Sequence, residues 1–498
     1  MVILAIDLGT QSIKVGLVDH DGTILKISQE PQQVNLPKKG WAQQKPELWW
    51  RLTKSAIKNV LQKSSIKPNE INGISTCGQM HGPVGIDKKG NITTEWTQIW
   101  MDKRSKSICE EIRNHYDQSQ LAQITGNPIT TGWSGVKVKW IKKNQPKIYN
   151  KTKWFLVPKD FINFKLSGVT ATDPSEASGT YLFDIKKEKY STEMGTILDI
   201  DIQKFAKIYK SYDIIGTLKE NIAREIGLPS KIPIIAGGGD FIVSLLGIGM
   251  IEEGTAVDMS GTSTLFIVKK DKPIIHPLVQ NLKHVISGWT PFTMLDSGGL
   301  SIAWYKDFIN SIKEKQISYE EMIAMAEKIP IGSNGLLFYP YLLGERQTEN
   351  IYAKGGFFGV TLTHKVSHFI RAVIEGVALA VGKDAEIFRN LGVKIKQVYC
   401  LGGATRNKLL YKIKANIMQL PQILTNEPEA SLRGNGILAA YGLGLINNIK
   451  QVANSRNLEI EIIKPDKTTA TKYLFLLKKF KKMYRHMLGY ENEEFNQA

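Results

Sequence analysis

Cysteine is scarce in this chain, with three in 498 residues. Cys77, Cys109 and Cys400 are far apart, odd in number and without metal-ligand spacing. That excludes a disulfide framework and a cysteine-based zinc site, and reduced thiols in a cytoplasmic protein are expected. Long apolar runs are missing too. The longest uncharged neighbourhood, residues 232–251, is broken by glycines and Asp240, so no membrane-spanning helix is expected. The apolar start MVILAIDLG lacks a basic leader and does not read as a signal peptide. Acidic residues are in deficit, 47 against 65 basic ones, for a formal charge of +18. A nucleic-acid or anionic-membrane partner would fit such a charge. The lysines are nevertheless scattered, as in KKNQPKIYNKTK at 142–153, without a reading motif or an aromatic platform. Neither partner is expected; the lysines read as solvated, some helping to attract an anionic substrate.

What is present is an ordinary globular composition, 42% hydrophobic and 22% charged, with no low-complexity block. A chain of this length should hold two to three domains. VILAIDLGTQSIKVGLVDHDGTILKIS reads as three strands with turns at Gly9 and at Asp21-Gly22. PELWWRLTKSAIKNVLQKS carries apolar residues at helical spacing and leads to a strand ending at Gly78. A second unit, TAVDMSGTSTLFIVKKDK at 255–272, mirrors the first: Asp258 precedes Gly261-Thr262 as Asp7 precedes Gly9-Thr10. The inference is a duplicated α/β architecture, with domains at 1–245 and 246–498. An amphipathic, lysine-rich helical extension from about 465 is expected to pack as a terminal helix.

Several segments carry chemistry, and each has a plain structural alternative. STCGQMHGPVGID at 75–87 presents Met80 and His81 between two glycines; taken alone, a packed turn explains it. The two Gly-Thr hairpins suit a polyphosphate held between them, because glycine lets backbone N–H groups approach and threonine adds a hydroxyl. Asp7 would then serve Mg2+, directly or through water. GGGDF supplies an isolated carboxylate, Asp240, able to accept a hydroxyl proton in phosphoryl transfer, or else to cap the following helix. LGGATRNKLL at 401–410 is a glycine turn into a helix, suited to a nucleotide's base and ribose or to an anion. Asp102 in IWMDKR and Trp133 in TGWSGVKVKWI add the polar and aromatic groups that sugar sites use.

In this order and spacing, from residue 1 to about 445, these pieces resemble the FGGY carbohydrate kinases of the actin-like ATPase superfamily. GWSGVKVKWIKK at 132–143 and GGFFGVTLTHKVSHFIRAVIE at 355–375 carry the resemblance most specifically. Within the family, GQMHG, TDPSEASGTYLFD at 172–184 and GLLFYPYLLGER at 335–346 resemble the members that phosphorylate xylulose. The resemblance implies two actin-like (ribonuclease H-like) domains around a cleft, and ATP with Mg2+ as cofactors. It implies Asp240 as the catalytic base and Asp7 as the metal and phosphate aspartate. Thr10, Gln11 and Thr262 would form the phosphate turns. Gly261, Gly299, Gly403, Ala404 and Asn407 would line the ADP site, and Met80, His81, Asp102 and Trp133, with Asp240, would meet the sugar. The reaction implied is ATP-dependent phosphorylation of a ketose, D-xylulose to D-xylulose 5-phosphate. Another pentulose, a heptulose or a sugar alcohol is the alternative acceptor, and a non-catalytic nucleotide sensor is the alternative of another class. A homodimer is a family expectation. The glycerol kinases carry an Arg-Glu pair where Met80-His81 stands. Three positions depart from the family pattern: Phe241 replaces a polar Asn or Gln beside the base, Leu401 replaces the first glycine of a triple, and Asn416 replaces an Asp.

Overall fold

The computed structural model describes residues 1–312, 316–345, 353–455 and 461–494. The apolar run VILAIDL forms β1 (Val2–Leu8), in which Ile3, Leu4, Ala5 and Ile6 are fully buried. Burial of consecutive residues marks a strand covered on both faces. β1 pairs antiparallel with β2 (Ser12–Asp19), and β2 with β3 (Ile24–Pro31), the expected meander. On its other side β1 pairs in parallel with β4 (Ile71–Gly78). β5 (Ile214–Thr217) lies at the edge, next to β6 (Pro233–Gly239), which is parallel to β4. One face is covered by α1 (Pro46–Gln62), whose Trp49, Ala56, Ile57 and Val60 fall on one side at helical spacing and pack with Leu4 and Ile6. β6 runs directly into α2 (Asp240–Gly247).

The second sheet repeats the pattern. β7 (Thr255–Ser260) and β8 (Thr264–Val268) form a hairpin, followed by β9 (Gln280–Lys283) and β10 (Trp289–Leu295). β10 pairs with β8, and β7 is parallel to β11 (Gln397–Leu401), which is parallel to β12 (Gln422–Leu424). With β13 (Glu461–Ile463) beside β12, the order β10-β8-β7-β11-β12-β13 thus matches β3-β2-β1-β4-β6-β5 of the first sheet, with β9 added at the other edge. Register repeats as well: Asp7 faces Cys77 across the parallel pair, and Asp258 faces Cys400. α3 (Gly298–Ile312), α4 (Val366–Asn390) and α5 (Lys408–Met418) surround this sheet in one large apolar core.

The two units are interlocked. α6 (Ala430–Gly442), late in the chain, returns to cover the open face of the first sheet, with Leu432 against Ala5 and Val18, and Ala439 against Ile3 and Ile235. It crosses α2 backbone to backbone: a Cβ on Gly434 would lie 2.1 Å from the carbonyl oxygen of Val243, and one on Gly247 would lie 1.9 Å from that of Ala430. The buried Arg433 guanidinium donates to the carbonyl of Gly247 at the C-terminus of α2, where a cation is favoured. The C-terminal segment forms α7 (Lys467–Glu494), which buries Tyr473, Leu476, Leu477 and Phe480 in the second core. All three cysteines are buried and unpaired with one another. Among the described residues, no helix is long and apolar enough to cross a membrane.

Candidate active site

The turn from β6 into α2 sets the position of Asp240. Gly237 has φ +75° and lies so close to β4 that a Cβ would sit 1.8 Å from the carbonyl oxygen of Thr76. Gly239 lets Met80 approach, since a Cβ there would stand 2.5 Å from its sulfur. The Gly239 N–H donates to Ser175 Oγ at 3.0 Å, and that hydroxyl donates to Asp173 at 2.7 Å. Asp173 is itself held by Ser211 Oγ at 2.7 Å and by the buried Lys159 ammonium at 3.1 Å. A buried polar network therefore fixes the peptide just before Asp240. Burial pushes the Asp240 carboxyl up to about 7, the charge of Asp7 adds to this, and the hydrogen bond from the Phe241 amide opposes it. A carboxyl poised near neutrality suits a general base.

Asp240 opens onto a cavity of about 240 Å³ between the two sheets. That is room for about eight waters, the scale of a small sugar. Thr10, Met80, His81, Trp100, Thr130 and Trp133 line it from the first unit. Met259, Ser263, Leu265, Gln280, Phe292 and Met294 line it from the second, with Phe241 beside the base. The backbone of His81 is left-handed, φ +71°, a conformation His tolerates better than bulkier residues. Its Nδ1 lies 3.1 Å from the carbonyl oxygen of Gly179, which places the proton on Nδ1, and its ring meets Trp133 edge-on at 5.2 Å. Trp133 is anchored by Nε1 donating to the Pro128 carbonyl at 2.8 Å. The first Gly-Thr hairpin is pinned by Trp100 Nε1 donating to Thr10 Oγ1 at 3.0 Å and by Gln44 Nε2 donating to the Thr10 carbonyl at 2.8 Å. Gln11, next to it, is exposed.

Asp7, one residue before the end of β1, lies close enough to Asp240 for the two charges to interact. One oxygen accepts from Ser431 Oγ at 2.6 Å. Among the described residues no N–H or hydroxyl donates to the other, Oδ1; its neighbour Cys77 is a thiol, a weak donor. Burial raises the Asp7 pKa, and the Ser431 bond and Lys14 oppose the rise. A buried carboxylate oxygen in this condition could take a hard cation that keeps most of its waters. No group of three or more His, Cys, Asp and Glu suited to a metal occurs among the described residues.

The second-unit turns converge separately. A Cβ on Gly299 would lie 2.1 Å from the carbonyl oxygen of Gly261, and one on Gly402 would lie 2.4 Å from that of Ser260. These two glycines are demanded by packing. Gly261 and Gly403 are different: a Cβ on Gly261 would meet nothing nearer than 4.0 Å, and one on Gly403 nothing within 4 Å. With Thr262 and Ala404 they border open space that a phosphate or ribose could enter. Asn407 is nearly buried, and its Oδ1 accepts from the Leu410 N–H at 3.0 Å, capping α5. Leu401 is buried in the core, and Asn416 Oδ1 accepts from the Asp466 N–H at 2.7 Å, tying α5 to the approach to α7.

Of the residues expected at the sugar, Met80, His81, Trp133 and Asp240 meet in one cavity. Asp102 does not line it. It is fully buried, accepting from the Ala42 N–H at 2.6 Å and from Arg104 Nη2 at 2.7 Å, so its charge is consumed by the neighbouring guanidinium. The Arg104 guanidinium in turn lies 3.7 Å over the Trp41 ring. An Arg two residues on was the available signal for this pairing. Trp100, Gln280 and the Asp173–Ser175 network were not anticipated from the sequence. Arg346, the last residue of GLLFYPYLLGER, lies outside the described residues.

Residues 2–247 match the model of the FGGY family of carbohydrate kinases, N-terminal domain, and residues 257–443 that of the C-terminal domain. The chain belongs to this family. It is therefore a carbohydrate kinase, acting on a small-molecule sugar and ATP. The xylulose kinase of Bacillus subtilis (strain 168) is 29% identical over 491 residues, 97% of each chain. Among solved structures, the xylulose kinase from Rhodospirillum rubrum superposes with a TM-score of 0.90 at 24% identity, covering 99% of this chain and 100% of that one. Gluconate kinase from Lactobacillus acidophilus superposes equally well, TM-score 0.91 at 24% identity and 98% coverage of both chains. The fold is common to kinases of different acceptors, so the choice of sugar rests on the cavity.

Proposed function

We propose that this kinase transfers the γ-phosphoryl group of ATP to D-xylulose, giving D-xylulose 5-phosphate. The observation that carries the reading is that Met80 and His81, rather than the Arg-Glu pair of the glycerol kinases, share the cavity with Asp240. The xylulose kinases among its relatives support it. In this reading Met80, His81 and Trp133 hold the sugar, and Asp240 accepts the proton of its terminal hydroxyl as that oxygen attacks the γ-phosphorus. The oxygen–phosphorus bond forms as the bond to the β-phosphate oxygen breaks, and ADP leaves. Thr10, Gln11, Gly261 and Thr262 hold the phosphates. Gly299 shapes the phosphate turn, and Gly403, Ala404 and Asn407 border the adenosine. Mg2+ would be held at Asp7, where it would neutralise phosphate charge. Approach of the two units excludes water, which otherwise competes for the phosphoryl group. Positioning and charge neutralisation supply most of such a rate. The reading includes a cytoplasmic setting and a homodimer, the latter checked by sedimentation.

The test is ADP release from Mg-ATP with D-xylulose, D-ribulose, L-ribulose, L-xylulose, sedoheptulose, xylitol and glycerol, with Asp240→Asn as control. The expected result is the highest kcat/KM for D-xylulose, lost in the variant. ATP binding without stimulation by any acceptor would replace the kinase reading with a nucleotide sensor.

A further inference from the structure

Gln280 begins β9, and it is 4% exposed while lining the cavity. Among the described residues its Nε2 has no hydrogen-bond partner, although a buried amide donor is costly to leave unpaired. Its surroundings explain what it would serve. Gln280 lies directly opposite Phe292 in the β9–β10 register, so both side chains stand on the same face of the sheet. The Phe292 ring in turn meets the ring of Phe241 edge-on at 5.5 Å. An unsatisfied donor therefore sits beside the apolar pair that includes the residue following the base, where the family usually has a polar side chain.

Gln280 is also held in place relative to the first unit. The side chain of Asn127 accepts from the Asn281 N–H at 2.6 Å and donates to the Asn281 carbonyl at 3.0 Å, doing for the sheet edge what another strand would do. Asn281 Nδ2 donates to the Gly126 carbonyl at 2.6 Å, and the Lys283 N–H donates to Ser178 Oγ at 2.9 Å. β9 belongs to the second sheet by pairing and to the first unit by these bonds, so its first residue stays with the wall formed by Met80, His81 and Trp133.

We infer that Gln280 is a specificity-determining residue: with sugar bound, its amide turns so that Nε2 donates a hydrogen bond to an oxygen of the sugar on the side facing Phe241 and Phe292. It replaces from the opposite unit the contact that residue 241 lacks. The inference rests on the ketose kinase reading and assigns the acceptor an oxygen at that wall, away from the one that receives phosphate.

The test compares wild type with Gln280→Leu, nearly isosteric and without the amide. Acceptor kcat/KM is expected to fall about 10- to 100-fold, mainly through KM, with KM for ATP unchanged. The variant should melt no lower than wild type, because an unpaired buried polar group gives way to an apolar one; a purely structural amide would instead lower the melting temperature. Among 1-deoxy, 3-deoxy and 4-deoxy analogues of the preferred ketose, one should be used equally well by both proteins, which identifies the oxygen contacted. A wild type active on ketoses with a Leu variant unchanged on all acceptors overturns this inference alone. A wild type that phosphorylates no ketose overturns the ketose reading, and this inference with it.

Discussion

Asp7 and Asp258 occupy the same place in the two sheets, each near the end of a first strand and opposite a cysteine across a parallel pair. Their partners differ. Asp258 is fully buried and bonded to the equally buried Lys414 ammonium at 2.6 Å, so its charge is balanced inside the protein. The cation nearest Asp7 in register is Lys14, but its ammonium turns to Glu429 at 2.8 Å. Asp7 keeps an oxygen with no N–H or hydroxyl donor among the described residues, next to the carboxylate of Asp240. The duplicated motif thus yields an internal ion pair in one unit and, in the other, a carboxylate with no ion pair among the described residues.

The largest effect should separate these two aspartates. Asp7→Asn is expected to lower kcat roughly 10²- to 10³-fold while leaving the urea midpoint unchanged or higher. Asp258→Asn leaves a buried lysine without its anion and should cost about 3–5 kcal/mol in unfolding free energy, with kcat of the folded fraction nearly preserved. Equal loss of activity from both would break the comparison.

The glycines sharpen it at smaller scale. Gly299→Ala and Gly402→Ala press a methyl group into backbone and should each cost about 1–3 kcal/mol of stability. Gly261→Ala and Gly403→Ala meet open space, so thermal stability should shift by less than about 0.5 kcal/mol while KM for ATP rises. Unchanged KM for ATP in both would remove those turns from the nucleotide site. The smallest effect is expected at Phe241→Asn, which restores a polar group beside the base: a few-fold change in preference among ketoses, read as ratios of kcat/KM.

Asp240 links rate to stability. Its folded pKa of about 7 lies above its ordinary value of 3.8, so the folded state holds the proton more tightly. Its contribution is therefore fully present below the ordinary carboxylate range and is lost as pH rises through about 7. Asp240→Asn should melt increasingly above wild type between pH 4 and 7, with the difference constant beyond.

The meander, the duplicated hairpin and GGGDF were legible in the sequence because each depends on neighbours a few residues away. The cavity residues Met80, His81 and Trp133 were legible through motifs. Asp102 was misplaced because its salt bridge with Arg104 competes with any ligand, and charge alone does not say which wins. Gln280, Ser175 and the α2–α6 crossing were not legible. Each acquires its meaning from residues distant in sequence: Gln280 from Phe241, Ser175 from Gly239, and Gly434 from Val243.

The most direct test of the account is the pH dependence of D-xylulose-stimulated ADP release, measured from pH 5.5 to 8.5 in wild type and Asp240→Asn. Wild-type kcat/KM is expected to rise with pH and level off with an inflection near 7, and the variant to lose about 10²- to 10⁴-fold of the rate together with the inflection. A variant that retains the wild-type rate and inflection would contradict the assignment of Asp240 as the base.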